Sequence, residues 1–371
     1  MKIAVLKEQA SGESRVAASA ETVKKFIALG AEVSVEPGAG LSASVADADY
    51  AAAGATMAKD AVKGADIVLG VQGPDVAALK GAKSGAWIVA GLDPFGQRAR
   101  VDAYAKAGFE ALAMEFMPRI TRAQSMDILS SQSNLSGYKA VIEAANAYGR
   151  AFPMMMTAAG TVSAAKAFVM GVGVAGLQAI ATARRLGAQV SATDVRSATK
   201  EQIMSLGAKP VFVENVAGIE GEGAGGYATE MSPEYQAAQA ELVSAHIAKQ
   251  DIVITTALIP GKAAPRLVSA AQIASMKPGS VVFDLAVAQG GNVEGSVADQ
   301  VVVQNGVKII GWSNTPAHLA ADASALFARN LYNFLSAFWD KDAGKPVLDD
   351  EIGNAVRLTL GGKVVHERLL G

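Results

Sequence analysis

The sequence predicts an α/β protein built from two Rossmann-like, doubly wound parallel-sheet domains joined by long helices. Its 371 residues exceed the roughly 100–200 residues of one ordinary domain, so two domains are expected. Short β-branched runs alternate with Ala-rich helical stretches in two separate series, which is the rhythm of βαβ units. A stretch with helical periodicity lies between the two series.

The first series predicts strands at KIAVL, AEVSVEP, ADIVLGV, AWIVAG and FEALAM, a helix at ETVKKFIALG and a helical region ending at Lys63. The second series begins at Lys166. Its predicted strands are KAFVMG, QVSATD, KPVFV, DIVITTA, VVFDLAV and VKIIGW, with helices ending at Gly187, Leu206 and Lys249.

Two amphipathic stretches predict the connecting helices. Between the series, apolar residues at Ile128, Leu135, Tyr138, Val141 and Ile142 follow helical spacing, and after Trp312 the stretch SALFARNLYNFLSAFW has one apolar helical face. The second helix would return the chain to the first domain. We therefore assign residues 1–127 and 315–371 to the first domain and residues 128–314 to the second. The C-terminal tail is expected to form a small hairpin that turns at Leu-Gly-Gly-Lys.

Composition narrows the possible functions. Lys+Arg 33 against Asp+Glu 35 leaves no basic surplus for binding nucleic acid or an anionic membrane. With Cys 0 and three widely spaced histidines, no metal site is expected. The apolar stretch from Ala167 to Ala183 contains three glycines and is shorter than the roughly 20 residues of a membrane helix, so we expect a soluble chain without membrane insertion. The start MKIAVLKE lacks a signal-peptide pattern, which favours a cytoplasmic location.

A glycine fingerprint between a strand and a helix predicts dinucleotide binding. Gly171-Val172-Gly173-Val174-Ala175-Gly176 follows AFVM and opens the helix LQAIATARRLG. The first glycine permits a tight turn, the second lets backbone approach a pyrophosphate, and the third allows close helix–strand packing. The first turn, with Val174 and Ala175, offers free N–H groups to the phosphates.

Asp194 ends the next predicted strand, 18 positions after Gly176, where an acidic residue can accept hydrogen bonds from the adenosine ribose. Its charge would repel a 2′-phosphate, so NAD(H) is favoured over NADP(H). Val195 and Arg196 follow, and Arg196 could soften this selectivity by pairing with a phosphate. The alternative for Asp194 is a helix cap.

Several stretches together resemble the NAD(H)-binding component of proton-translocating NAD(P) transhydrogenases, in the alanine dehydrogenase/transhydrogenase superfamily. They are MPRITRAQSMDILSSQSNLSGY, FPMMMTAAGT, GVGVAGLQAIATARRLGA, ATDVR, TTALIPGK, MKPGSVVFDLAV and ADASALFARNL, and the resemblance covers essentially the whole chain.

The resemblance implies roles for individual residues. Arg119 and Asp127 would lie beside the nicotinamide carboxamide and ribose, and Gln124 would reach toward NADP(H) on a partner component. Further cofactor contacts are implied at Ser130, Tyr138, Ala257 and Leu258, and Tyr227 would belong to a mobile loop that closes over the nucleotide. From the residues alone, Asp127 could equally cap a helix and Arg119 form a surface ion pair.

The implied reaction is direct hydride transfer from NADH to NADP⁺, which needs aligned rings rather than an acid, a base or a metal. Implied partners are an NADP(H)-binding component, membrane-embedded subunits that translocate protons and a second copy of the chain. The protein would then associate peripherally with the inner membrane through these subunits.

Two alternatives remain open from the sequence. An amino-acid dehydrogenase resembling alanine dehydrogenase would use Arg15 on a substrate carboxylate, but it would want a Lys where Gly70 stands and a His where Gly91 stands. A catalytically silent NAD-binding regulatory subunit is the other, although it would not need Arg119, Gln124 and Asp127.

Overall fold

The structure is a computed structural model that describes residues 1–213, 232–259 and 261–370. The described chain divides into two compact units, residues 1–132 with 316–371 and residues 133–315. Each unit contains its own large sheet and its own apolar core.

The first unit contains a six-stranded parallel sheet of order β3-β2-β1-β4-β5-β6, in which the chain reverses its direction of travel between β1 and β4. This is the doubly wound order in which ligands bind at the carboxyl ends of the strands. Its strands are β1 (Lys2–Val5), β2 (Glu32–Val35), β3 (Thr56–Met57), β4 (Ile67–Gln72), β5 (Trp87–Gly91) and β6 (Glu110–Ala113), and its first helices are α1 (Ala20–Ala28), α2 (Asp47–Ala52) and α3 (Arg98–Lys106).

Both faces of this sheet are covered, because alternate residues of its strands enter different cores. Ile3 and Val5 pack in one cluster, whereas Ala4 packs in another on the opposite face. The helix α4 (Ile128–Ala147) begins in the first unit and continues into the second. After the second unit, α9 (Ala320–Ala337) covers the first core with Phe327, Leu331, Phe334 and Leu335.

The second unit contains a seven-stranded sheet of order β11-β10-β9-β12-β13-β15-β14, in which only β14 is antiparallel to its neighbour. A hairpin of β7 (Met155–Thr157) and β8 (Gly160–Val162) precedes it. The sheet strands are β9 (Lys166–Met170), β10 (Gln189–Thr193), β11 (Lys209–Pro210), β12 (Ile252–Thr255), β13 (Val281–Asp284), β14 (Gln300–Gln304) and β15 (Val307–Gly311), with helices α5 (Val174–Arg185), α6 (Thr199–Ser205), α7 (Pro233–Ile247) and α8 (Ala270–Ser275).

The C-terminal tail returns to the first unit as β16 (Trp339–Asp340), β17 (Lys345–Pro346), α10 (Asp350–Val356), β18 (Thr359–Leu360) and β19 (Lys363–Val364). The predicted hairpin is confirmed for β18 and β19, and Gly361 and Gly362 both have positive φ, as a two-residue type I′ turn requires. Within the described residues, every helix is too short or too polar to cross a membrane.

The two-domain α/β fold class predicted from the sequence is confirmed, with three local differences. The hairpin β7–β8, the short edge strand β3 and the antiparallel β14 were not predicted. β14 carries Val301 and Val303 toward solvent on the sheet edge, so its apolar residues do not mark a buried core strand.

Candidate dinucleotide-binding site

The glycine fingerprint forms the turn between β9 and α5, at the carboxyl edge of the second sheet. Gly171 has φ +98, and a Cβ there would lie 2.5 Å from the Thr256 hydroxyl oxygen. Gly173 is the N-cap of α5, no side chain caps the first helical turn, and a Cβ on Gly173 would meet nothing within 4 Å. The fingerprint therefore presents backbone to open space at a helix N-terminus, which fits the phosphates of a dinucleotide.

The first turn of α5 is packed from two sides by glycines. A Cβ on Gly176 would come within 1.9 Å of the Gly171 carbonyl oxygen, so only glycine allows this helix to approach its strand. Gly137, on α4, has the same constraint, because its Cβ would lie 2.0 Å from the carbonyl oxygen of Ala175. The sequence analysis missed Gly137, which follows no fingerprint spacing. It places Tyr138, 39% exposed, next in sequence to the residue that contacts the fingerprint turn.

Asp194 follows β10 and is nearly buried, at 8% exposure. Its Oδ2 accepts a hydrogen bond from the Val172 backbone N–H (2.7 Å), and its Oδ1 accepts one from the Arg196 backbone N–H (2.9 Å). The Arg196 guanidinium donates to both oxygens at 2.9 Å. Burial raises the pKa of Asp194, but the hydrogen bonds from Arg196 and Val172 outweigh burial and lower its pKa overall. Asp194 is thus an ionised carboxylate beside the fingerprint, and Val195 follows it, half-buried.

The loop after β12 lies against the same turn. Thr256 donates from its hydroxyl to the Gly171 carbonyl oxygen at 3.0 Å, and the Ala257 backbone nitrogen would be 3.3 Å from a Cβ on Gly171. Leu258 follows with 44% of its surface exposed. Since β9 and β12 are adjacent where the strand order reverses, these two loops border the crevice that binds ligands in doubly wound sheets.

The first unit holds Arg119, Gln124, Asp127 and Ser130. Asp127 precedes α4, and its carboxylate accepts hydrogen bonds from the Ser130 backbone N–H (2.9 Å) and from the Ser130 hydroxyl. Asp127 therefore caps the helix in this structure, as one of its two interpretations expected. Arg119 and Gln124 are exposed, and Gln124 lies in the 3₁₀ segment Thr121–Met126.

That 3₁₀ segment is anchored by α9. The Asn330 side chain donates to the Ser125 carbonyl oxygen at 2.8 Å and accepts from the Ser131 hydroxyl at 2.7 Å. Asn333 donates to the same Ser125 oxygen at 3.1 Å. Asn330 and Asn333 thus fix the backbone next to Gln124. Tyr227 lies outside the described residues, and among residues 1–213, 232–259 and 261–370 no group of three His, Asp or Glu residues could hold a metal ion.

The residues that an amino-acid dehydrogenase would use are arranged for a different purpose. Arg15 donates to both Glu13 carboxylate oxygens (2.8 and 2.7 Å) and to Gln132 (2.9 Å), and its side chain is only 10% exposed. A Cβ on Gly70 would lie 2.6 Å from the Gln72 carbonyl oxygen, and one on Gly91 would lie 3.1 Å from that of Val71. The arginine is occupied and both glycines resist a larger side chain.

The fold and the fingerprint define the class as a two-unit dinucleotide-binding α/β protein. The chain belongs to the alanine dehydrogenase/PNT family. The family model for the N-terminal domain matches residues 4–136, and that for the C-terminal domain matches residues 140–367. The family implies NAD(H) binding. The C-terminal family domain includes residues after 315, which belong to the first unit in space.

Transhydrogenases are the more similar branch of this family. The first of the parts that make up the NAD(P) transhydrogenase subunit alpha of Rhodospirillum rubrum is 54% identical over all of this chain and 99% of its own. The crystal structure of a transhydrogenase from Sinorhizobium meliloti is 54% identical, with a TM-score of 0.90 over 98% of this chain and 100% of its own. An alanine dehydrogenase of Halomonas elongata is 27% identical over 95% of this chain and 91% of its own. The resemblance predicted from the motifs is confirmed.

Proposed function

We propose that this chain is the NAD(H)-binding subunit of a proton-translocating NAD(P) transhydrogenase. The observation that carries the proposal is the convergence, at one sheet edge, of the open Gly173 helix terminus, the ionised Asp194 and the loop at Ala257. The relatives that match the chain over its full length have transhydrogenase names, which supports this function over alanine dehydrogenase.

The chain's own groups bind and orient the cofactor. The first turn of α5, from Gly173 to Gly176, offers its N–H groups to the pyrophosphate, and Asp194 accepts from the adenosine ribose. Bound NADH supplies the hydride. Because hydride passes directly to a second nicotinamide, the chain's task is alignment at roughly 3–3.5 Å between reacting carbons rather than proton transfer.

We assign Arg119, Gln124 and Asp127 to the nicotinamide end, with Ser130, Tyr138 and Tyr227 as further cofactor contacts. Gln124 is exposed, as a residue that reaches a nucleotide on another protein must be. Asp127 would exchange part of its hydrogen bonding with Ser130 for the nicotinamide moiety. Ala257 and Leu258 would contribute backbone contacts from the loop after β12.

The proposed partners follow from the reaction. NADP(H) would be bound by a separate component, and proton translocation would take place in membrane-embedded subunits. This chain would sit on the cytoplasmic side of the inner membrane through those subunits. We also propose that it forms a homodimer.

The decisive experiment measures hydride transfer from NADH to an NADP⁺ analogue, first with this protein alone and then with a purified NADP(H)-binding transhydrogenase component. We expect activity only in the mixture, and we expect Gln124→Ala to reduce it while NADH binding persists. NADH binding without transfer in the mixture would favour a silent regulatory subunit. NADH oxidation by the protein alone, on adding pyruvate and ammonium, would favour an amino-acid dehydrogenase.

A further inference from the structure

Asn292, between β13 and β14, is a fully buried amide that no fingerprint predicts. Its Oδ1 accepts from the Ala257 backbone N–H at 3.0 Å, and its Nδ2 donates to the Ala257 carbonyl oxygen at 2.9 Å. The same Nδ2 donates to the Pro265 carbonyl oxygen at 2.8 Å. One side chain therefore engages both polar groups of Ala257 and also secures the far end of the loop after β12.

Asp284 holds Asn292 in place from below. This carboxylate is also fully buried, and its Oδ1 accepts from the backbone N–H groups of Ala286 (2.9 Å) and Asn292 (3.1 Å). Its Oδ2 accepts from the Val293 backbone N–H at 3.1 Å. The chain of contacts runs from the end of β13 through Asn292 to Ala257, so the loop's position is set by the rigid sheet.

The position of this loop assigns it to one half of the dinucleotide. Asp194 lies after β10, on the side of the switch point that would take the adenosine half. The loops of β12 and β13 lie on the other side, where the second mononucleotide half of a doubly wound fold binds. Ala257 is the residue of that loop whose backbone nitrogen comes close to Gly171.

We propose that Asn292 is a positioning residue for the nicotinamide half of NAD(H), acting through Ala257 and the loop after β12. This inference rests on the proposed function, since it presumes that NAD(H) occupies the crevice beside Gly171. Asn292 itself touches no substrate atom. Its amide complements one peptide unit with a donor and an acceptor together, which a hydroxyl or a carboxylate at this position could not do.

The test compares Asn292→Ala with Gln250→Ala in the full chain. Gln250 is a matched control because it is also a buried amide, 5% exposed, but it precedes β12 at the opposite edge of the same sheet. Binding of NADH and of 5′-AMP, which lacks the nicotinamide half, would be measured for both variants by titration. For Asn292→Ala we expect an NADH dissociation constant raised by about tenfold or more, with that of 5′-AMP within about twofold. Gln250→Ala should leave both constants near wild type.

A second measurement covers poor folding of the alanine variant. Hydrogen exchange of the backbone amides of residues 256–259 in Asn292→Ser should be faster than in wild type at equal global stability. Equal weakening of NADH and 5′-AMP, or unchanged NADH binding, would overturn the positioning role. So would unchanged exchange in this loop. Failure of the wild-type protein to bind NADH would instead overturn the proposed function itself.

Discussion

Asp194 illustrates how one carboxylate is prepared before its ligand arrives. Its oxygens accept four hydrogen bonds, two of them from the Arg196 guanidinium, so the charge is stabilised although the side chain is nearly buried. Ribose hydroxyls must share or replace the Arg196 contacts. The backbone bonds from Val172 and Arg196 do not need to change, which keeps the carboxylate oriented.

We therefore predict that Asp194→Ala weakens NADH binding by about tenfold to 100-fold, the loss of one or two charge-assisted hydrogen bonds of about 1.5–3 kcal/mol. Arg196→Ala is the control, because it removes the competing guanidinium and should leave NADH binding equal or tighter. Fluorescence titration with NADH measures both constants. An Asp194→Ala protein that is folded and binds NADH like wild type would remove Asp194 from the site.

Glu8 and Glu13 are neighbouring carboxyls with opposite electrostatic situations. Burial raises the pKa of Glu8 to about 7, although the Val71 N–H bond opposes the rise, and the Glu13 charge adds to it. For Glu13, burial is likewise the largest influence, but the hydrogen bonds and charge of Arg15 overcome it and lower the pKa. The folded protein thus stores a proton on Glu8 and a negative charge on Glu13.

From this difference we predict opposite effects at pH 8. Because the folded Glu8 binds its proton more tightly than an unfolded carboxyl with pKa 4.5, its contribution to stability is lost as pH rises through about 7. Glu8→Gln should raise the unfolding free energy at pH 8 by about 1–3 kcal/mol and flatten its pH dependence between about 4.5 and 7. Glu13→Gln should lower it by about 3 kcal/mol by leaving Arg15 unpaired. Urea unfolding at several pH values measures both, and a matching sign for the two variants would contradict the assignment.

At the scale of elements, the turn between β9 and α5 separates folding from binding in adjacent glycines. We predict that Gly176→Ala lowers stability by about 1–3 kcal/mol, because its Cβ would overlap the Gly171 carbonyl group. Gly173→Ala should change stability by less than about 1 kcal/mol, because its Cβ meets no protein atom, but it should weaken NADH binding by obstructing the phosphates. Thermal unfolding and NADH titration of both variants provide the check. Normal NADH affinity in Gly173→Ala would place the pyrophosphate elsewhere.

The sequence predicted the elements whose residues carry a local signal. The strands β9 and β10 are continuous apolar runs, and the fingerprint glycines have fixed spacing. Asn292 and Gly137 carry no such signal, because their roles depend on Ala257 and Ala175, which are distant in sequence. The hairpin β7–β8 was also missed, since its methionines are neither strong strand formers nor buried.

At the scale of the whole molecule, each unit folds around its own doubly wound sheet, and the chain leaves the first unit and later returns to it. Residues 316–371 complete the first unit with α9, whose Asn330 and Asn333 hold the segment that carries Gln124. The groups assigned to hydride transfer are thus tied to a unit whose core closes only when the end of the chain is in place.

The hairpin β7–β8 supports the homodimer. Met154, Met155 and Met156 are 63%, 46% and 71% exposed, and two-stranded hairpins are marginally stable in water without further packing. A second copy of the chain would bury this patch on both protomers, because a two-fold dimer uses the same surface twice.

We therefore predict that the wild-type protein sediments as a dimer and that Met156→Glu converts it to a monomer without weakening NADH binding. Met204→Glu is the matched control, because Met204 is 55% exposed on α6 and should tolerate the charge without dissociation. Analytical ultracentrifugation over a range of protein concentrations distinguishes these states. A monomeric wild-type protein would exclude the homodimer, whereas a dimer that survives Met156→Glu would move the interface away from β7–β8.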